Sequence, residues 1–165
     1  VENRLPQQPG EWIDRNQSVK FQFEGTTYTG YAGDVLASAL WANNVRFTAR
    51  SFKYHRPRGI YSLANHDANF LVEDGSRTNL RGDQLLIHEG LVARAVNTWG
   101  GLQRDRLKVT QRFGKLMPVG FYYKAFHTPR KLFPFFENQM RKVAGLGRLH
   151  PDYVAKTTPK DYAFC

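Results

Sequence analysis

Arg46, Arg50, Lys53, Arg56 and Arg58 crowd into a stretch that contains no carboxylate, with Phe52, Tyr54 and His55 set among them. Guanidinium and ammonium groups interleaved with rings dock phosphates or acidic surfaces through charge-assisted hydrogen bonds. On that chemistry Lys53, His55, Arg56 and Arg58 are the candidate docking or phosphate contacts. The same composition also suits a loop shaped by Pro57 and Gly59 whose arginines bond backbone carbonyls, and the residues by themselves leave both readings open. His55, His66 and His88, with Asp67, have metal-ligating chemistry, but no close His pair stands at ligand spacing, so no metal site is assigned.

Catalytic residues are not assigned either. No Ser–His–acid arrangement stands out. Gly30, Gly33 and Asp34 do not complete a G-x-G-x-x-G fingerprint, and Gly145-Leu146-Gly147 runs into Arg-Leu-His rather than a phosphate loop. The single cysteine, Cys165, cannot form an internal disulfide, which suits a reducing, cytoplasmic setting. Nor can one thiol build a four-cysteine iron–sulfur site or a cysteine-rich zinc site from this chain's own residues.

A chain of 165 residues, 41% hydrophobic and 23% charged, has the make-up of one globular domain with extensions. No apolar run approaches the ~20 residues of a membrane span, and the polar stretch 1–10 lacks a signal-peptide core. The start without Met suggests trimming or processing. Lys plus Arg number 24 against 14 Asp plus Glu, a net charge of +10. A second basic stretch, Arg106, Lys108, Arg112, Lys115, Lys124, Arg130 and Lys131, lies between Asp105 and Glu137. Such a field attracts phosphates, nucleic acid or an acidic partner. No nucleic-acid-binding motif accompanies it, so nucleic acid is not the expected partner.

The elements that would position these residues follow from pattern. Residues 1–16 read as an extended arm. Val19–Phe23 alternates as a half-buried strand, Glu24-Gly25 turns, and Thr26–Tyr31 returns. Ala32-Gly33 breaks the chain, Asp34 is placed to cap or open a helix with Leu36, Ala37, Leu40 and Trp41 on one face, and Asn43-Asn44 ends it. Val45–Ala49 is a candidate strand, and 51–69 a long functional or inherited loop. Phe70–Glu73, Asp74-Gly75 and Ser76–Leu80 predict a second hairpin; Gln84–His88, Glu89-Gly90 and Leu91–Val96 predict a third pair, with the core closing near Asn97. Beyond Trp99 the chain turns basic, aromatic and helix-prone. Phe136, Met140 and Val143 recur at helical spacing after Pro134, and Gly145 and Gly147 end that helix. Phe121, Tyr122, Tyr123, Phe126, Phe133, Phe135 and Phe136 either pack back on the core or form an interface.

Two stretches carry a family resemblance. Gly30-Tyr31-Ala32-Gly33-Asp34-Val35-Leu36-Ala37-Ser38-Ala39-Leu40 and Arg50-Ser51-Phe52-Lys53-Tyr54-His55-Arg56-Pro57-Arg58-Gly59 resemble the ferredoxin-like domain of heterotetrameric sarcosine oxidase alpha subunits. Both motifs are shared with opine oxidases, amino-acid dehydrogenase subunits and hydrogen cyanide synthase. Pro118–Lys124 and Ala144–Leu149 resemble, more narrowly, the connection into the family's nucleotide-binding domain. The resemblance implies an α+β fold, a β-grasp (2Fe-2S ferredoxin-like) core with a C-terminal helical, aromatic-rich extension. It divides the chain into an arm (1–16), a β-grasp domain without cluster (17–99), a helical extension (100–149) and a linker (150–165) into a missing FAD/NAD-binding domain. In cluster-bearing relatives a cysteine-rich loop follows Arg-Pro-Arg-Gly; here Ile60–Asn69 holds no cysteine.

The implied function is a non-catalytic structural and docking module, bound to the remainder of the alpha subunit and to the other subunits. The intact enzyme would demethylate sarcosine to glycine, with FAD, FMN and NAD carried elsewhere and a folate-binding domain taking up the one-carbon product. A related amine, opine or amino-acid oxidoreductase subunit is the alternative, as is a stand-alone basic β-grasp module binding nucleic acid or a protein partner.

Overall fold

The computed structural model of the chain describes residues 3–116 and 130–144. Strands β1 (Asp14–Phe23) and β2 (Thr26–Ala32) form an antiparallel hairpin in which Phe21 faces Tyr28 and Phe23 faces Thr26. Glu24 and Gly25 both take positive φ, 52° and 80°, the backbone a two-residue turn needs to match strand twist. β1 starts at Asp14, ahead of the expected Val19, with an irregularity in register between Asp14 and Ser18. Helix α1 (Leu36–Ala42) follows and buries Leu36, Ala37 and Leu40. Trp41 departs from the expected face: it is 40% exposed, with the Arg46 guanidinium lying against its ring.

Asp34 does not cap this helix. Val35 is the N-cap, with no side-chain hydrogen bond, and the buried Asp34 carboxylate instead accepts from Tyr31 N, Ser38 Oγ and the Arg4 guanidinium. The helix ends where expected, Asn44 taking φ 61° while Asn43 Nδ2 donates to Thr29 O and Ala39 O.

Of the expected strand Val45–Ala49 only the end forms, as β3 (Ala49–Arg50), which pairs with β4 (Pro57–Arg58) in a separate two-stranded ribbon. β5 (Leu71–Glu73) pairs with β6 (Leu80–Arg81), so the second hairpin has a wider loop than an Asp-Gly turn would make. The cause is local: Asp74 Oδ1 accepts from the backbone N–H of both Ser76 and Arg77, folding the loop on itself.

The third expected pair does not exist. Gln84–His88 contributes only a bridge between Leu86 and Val35, and β7 (Val92–Ala95) runs between two other strands. It lies parallel to β1, with Gln22 opposite Val92, and antiparallel to β5, with Val72 opposite Ala95. The resulting order, β2-β1-β7-β5-β6, puts the first and last strands side by side at the centre, a mixed sheet with one helix packed on it. That is a β-grasp core.

Alternation sends Val19, Phe21 and Phe23 of β1 and Ala93 and Ala95 of β7 into one core with Leu36, Leu40, Phe70, Val72, Ile87 and Leu91. Phe70 meets Phe23 edge-on at 5.9 Å, and Gly82 lies so close to the Phe70 ring that a Cβ there would collide with it. The core does not close at Asn97. Leu102 and Asp105 are also fully buried, and Glu24, in the first turn, clasps the far end by accepting from Ala95 N and Leu102 N, each at 2.7 Å.

Downstream, Arg106–Leu116 is a 3-10 helix, a short 3-10 turn covers Arg130–Leu132, and helix α2 spans Phe133–Ala144 with Pro134 in its first turn. The aromatic run Phe121–Phe126, the connecting motif at Pro118, the glycines at 145 and 147 and the linker 150–165 lie outside the described residues.

Candidate functional site

The ribbon carries the candidate docking residues. Its tip is short, Ser51 N donating to Arg56 O at 2.9 Å and His55 N to Ser51 O at 3.0 Å. Closing it places His55 at φ 52°, an uncommon conformation for a side chain larger than Gly or Asn. Tertiary contacts hold it there. His55 is 1% exposed, its Nδ1 is 2.8 Å from Asp105 Oδ2, and its carbonyl accepts from Arg50 Nη1 at 2.7 Å and Gln111 Nε2 at 2.9 Å.

Arg50 also donates to Leu102 O and lies 3.5 Å from Asp105. Asp105 Oδ1 accepts from Trp99 N and Leu107 N. A buried charge is tolerable only when its lone pairs are taken up in this way. The knot ties the ribbon to the segment 99–107 and leaves the Arg50 and His55 side chains 6% and 1% exposed.

The other candidates stay outside. Arg56 is exposed, with its guanidinium 4.6 Å from the Tyr54 ring, and Lys53 Nζ is 4.9 Å from the same ring. Arg58 is half-buried and its Nη1 donates to Tyr61 Oη at 2.9 Å. Arg46 joins them, 3.7 Å above the Trp41 ring. Gly59 is required here, because its Cβ would stand 2.6 Å from Arg46 O.

The loop after the ribbon is organised by a carboxylate. Asp67, 1% exposed, accepts from Tyr61 N at 2.8 Å, Asn69 N at 2.9 Å and Phe70 N at 3.2 Å. Its own N–H donates to Asp83 Oδ2 at 2.9 Å, and Asp83 is paired with Arg81. Burial would raise the Asp83 pKa, but the Arg81 guanidinium and the Asp67 N–H outweigh it and hold the carboxyl below its usual range. His66 and His88 are exposed and far from this arrangement in role, and no group of three metal-ligating side chains occurs among the described residues.

Sequence alone marks Asp105 with no role and Asp67 only with metal-ligating chemistry. Asp105 read only as the border of a basic stretch, and nothing local marks its partners. Asp67-Ala68-Asn69 does carry a signal, since Asp bonds its own backbone two residues on. A recess lies between Glu24, Glu73, Thr78, Arg94 and residues 95–101.

A family model described as a 2Fe-2S iron-sulfur cluster binding domain matches residues 16–98. Sarcosine oxidase subunit alpha of Rhizobium meliloti (strain 1021) is 37% identical over 158 residues, covering 93% of this chain and 16% of the relative. The subunit alpha of Corynebacterium sp. (strain U-96) is 34% identical over 71 residues, covering 43% of this chain and 7% of the relative. Among solved structures, L-proline dehydrogenase from P.horikoshii superposes with a TM-score of 0.43 at 22% identity, covering 50% of this chain and 16% of that one. The chain therefore spans about one sixth of the length of the first of these relatives.

The family's description names a cluster, and the donor set can be tested against it. Such clusters are held by cysteine thiolates, two even where His supplies the rest. The matched segment has no cysteine and the chain only Cys165, so the residues present do not fit the group. With half of its length matched by the family model, and a backbone in which β7 runs parallel to β1 behind a hairpin and helix, the chain belongs to the 2Fe-2S iron–sulfur cluster binding domain family.

Proposed function

We propose that the chain is a non-catalytic structural and docking module of a flavin-dependent amine oxidoreductase subunit, in an enzyme that oxidatively demethylates sarcosine to glycine. The observation that carries this reading is identity of 37% along 93% of the chain to a sarcosine oxidase alpha subunit six times its length. A segment that small, without thiolates for a cluster, has no electron-relay chemistry of its own to offer. In this reading FAD, FMN and NAD sit in the remainder of the subunit and its partners, and the domain works without a cluster. Lys53, Arg56 and Arg58 face those partners, whereas His55 holds the ribbon in shape. The helical, aromatic C-terminal extension belongs to the same contact. No helix of the described residues is long and apolar enough to cross a membrane.

The test is co-expression of the complete coding sequence with its companion subunits, followed by assay of substrate-dependent dye reduction and metal analysis. Turnover of sarcosine with bound flavin, and iron well below one cluster per complex, is the expected result. Turnover of proline or an opine in its place would move the assignment to a related amine oxidoreductase. A complex without flavin or amine-oxidising activity would end the reading.

A further inference from the structure

We infer that the ribbon and its flanks, residues 46–61, form the docking element, and that its partner is a carboxylate-bearing protein surface. This rests on the docking reading above and names the partner's chemistry. Arg4, Arg15, Arg50, Arg77 and Arg81 each lie beside a carboxylate. Arg46, Arg56 and Arg58 do not; among the described residues their partners are rings, a phenol and a backbone carbonyl. Asp105 is taken up by Arg50 and His55 and Asp67 by backbone N–H groups, so these three cations, gathered in one short element, keep a local positive field that suits an outside anion.

The rings decide which anion. Single-stranded nucleic acid binds by stacking bases on open aromatic faces. Here Arg46 lies 3.7 Å from the centroid of the Trp41 ring, and Arg56 and Lys53 both stand within 5 Å of Tyr54. The ring faces are already occupied by cations. A stacked guanidinium keeps its in-plane N–H donors directed past the ring edge, pre-set for a carboxylate, and loses little freedom on binding. Phe52 and Tyr61, both more than half exposed, add apolar area beside these donors. Arg, Trp and Tyr with a rim of apolar contact are the composition of a protein interface.

The experiment uses the complete gene product in its native assembly. A carbodiimide joins amines to carboxylates in direct contact, and Lys53 reports from within the ribbon. A cross-link from Lys53 to an Asp or Glu outside residues 1–165 is expected. In the same assembly Arg46→Glu/Arg56→Glu should weaken association roughly tenfold or more, and changing the cross-linked carboxylate to Lys should restore it. Circular dichroism of the variant checks that the fold is retained, and Arg56→Lys, which keeps the charge, should lose less. An assembly that forms with Lys53 joined to no outside carboxylate, and with the double variant retained like wild type, overturns the ribbon's role while leaving the docking reading intact. Absence of any assembly overturns both. Salt-resistant, sequence-selective capture of an oligonucleotide by the ribbon would overturn the choice of partner.

Discussion

Asp105 and Asp67 are both sealed from water and both tie down a loop, yet their partners are of opposite kinds. Asp105 is met by the side chains of His55 and Arg50, fifty or more residues earlier in the chain. Asp67 is met by backbone N–H groups two to six positions away, from Tyr61, Asn69 and Phe70. The first arrangement decides where the ribbon sits relative to the segment 99–107. The second decides the shape of one loop and depends little on which side chains that loop carries. A carboxylate bonded to backbone tolerates variation in its neighbours' side chains, whereas a knot of side chains requires each member.

The largest effect should come from the side-chain knot. Asp105→Ala leaves Arg50 buried without its carboxylate, and chemical denaturation should show a loss of about 3–5 kcal/mol. If the loss were under ~1 kcal/mol, the ribbon would be held by something other than this knot. Next, Asp67→Ala strips three N–H groups of their acceptor and should cost about 2–4 kcal/mol. Amide hydrogen exchange at Tyr61, Asn69 and Phe70 should accelerate while the sheet amides stay protected. Asp67→Asn keeps one acceptor oxygen and should fall between wild type and Asp67→Ala.

A third carboxylate, Asp74, sharpens the comparison because its setting is half open. Its side chain is 7% exposed, but its partner Arg77 is 49% exposed. Burial alone would raise its pKa; the Arg77 guanidinium, the Ser76 hydroxyl and two backbone N–H groups outweigh that and lower it to about 2. A depressed folded-state pKa contributes stability above the unfolded value near 3.8, lost as pH falls through about 2. With screening at the exposed partner the contribution is discounted to about 1 kcal/mol. The stability gap between wild type and Asp74→Asn should therefore be steady at neutral pH and shrink from pH 4 downward. The smallest effect belongs to Arg56→Ala, within ~0.5 kcal/mol of wild type, because its side chain is exposed and, among the described residues, lies over a ring. Arg50→Ala, in the same ribbon, should resemble Asp105→Ala instead.

The hairpin of β1 and β2, its Glu24-Gly25 turn and helix α1 were legible because each is specified by neighbours in the chain: alternation, a two-residue turn, and an Asn at the helix end. The expected strand at Gln84–His88 was not formed, although its residues suit one. Ile87 N bonds Asp34 O and Leu85 O accepts from Leu36 N, so the segment is used to cover the start of α1. Trp41 looked like a core residue by spacing, but at the surface a guanidinium on its ring substitutes for burial. Basic groups interleaved with rings mark the docking candidates, and that composition does not separate His55, which is buried, from Arg56, which is not.

Sequence by itself determined the first hairpin and helix α1, the basic character of residues 46–58 and the lack of thiolates for a cluster, since each depends only on residue type and near neighbours. Tertiary structure decided that β7 slots in parallel beside β1, that Leu102 and Asp105 belong to the core, and which basic residues reach solvent. Those outcomes rest on pairings between residues some fifty to eighty positions apart. Only the packed chain brings such partners within hydrogen-bond reach, so no local pattern encodes them.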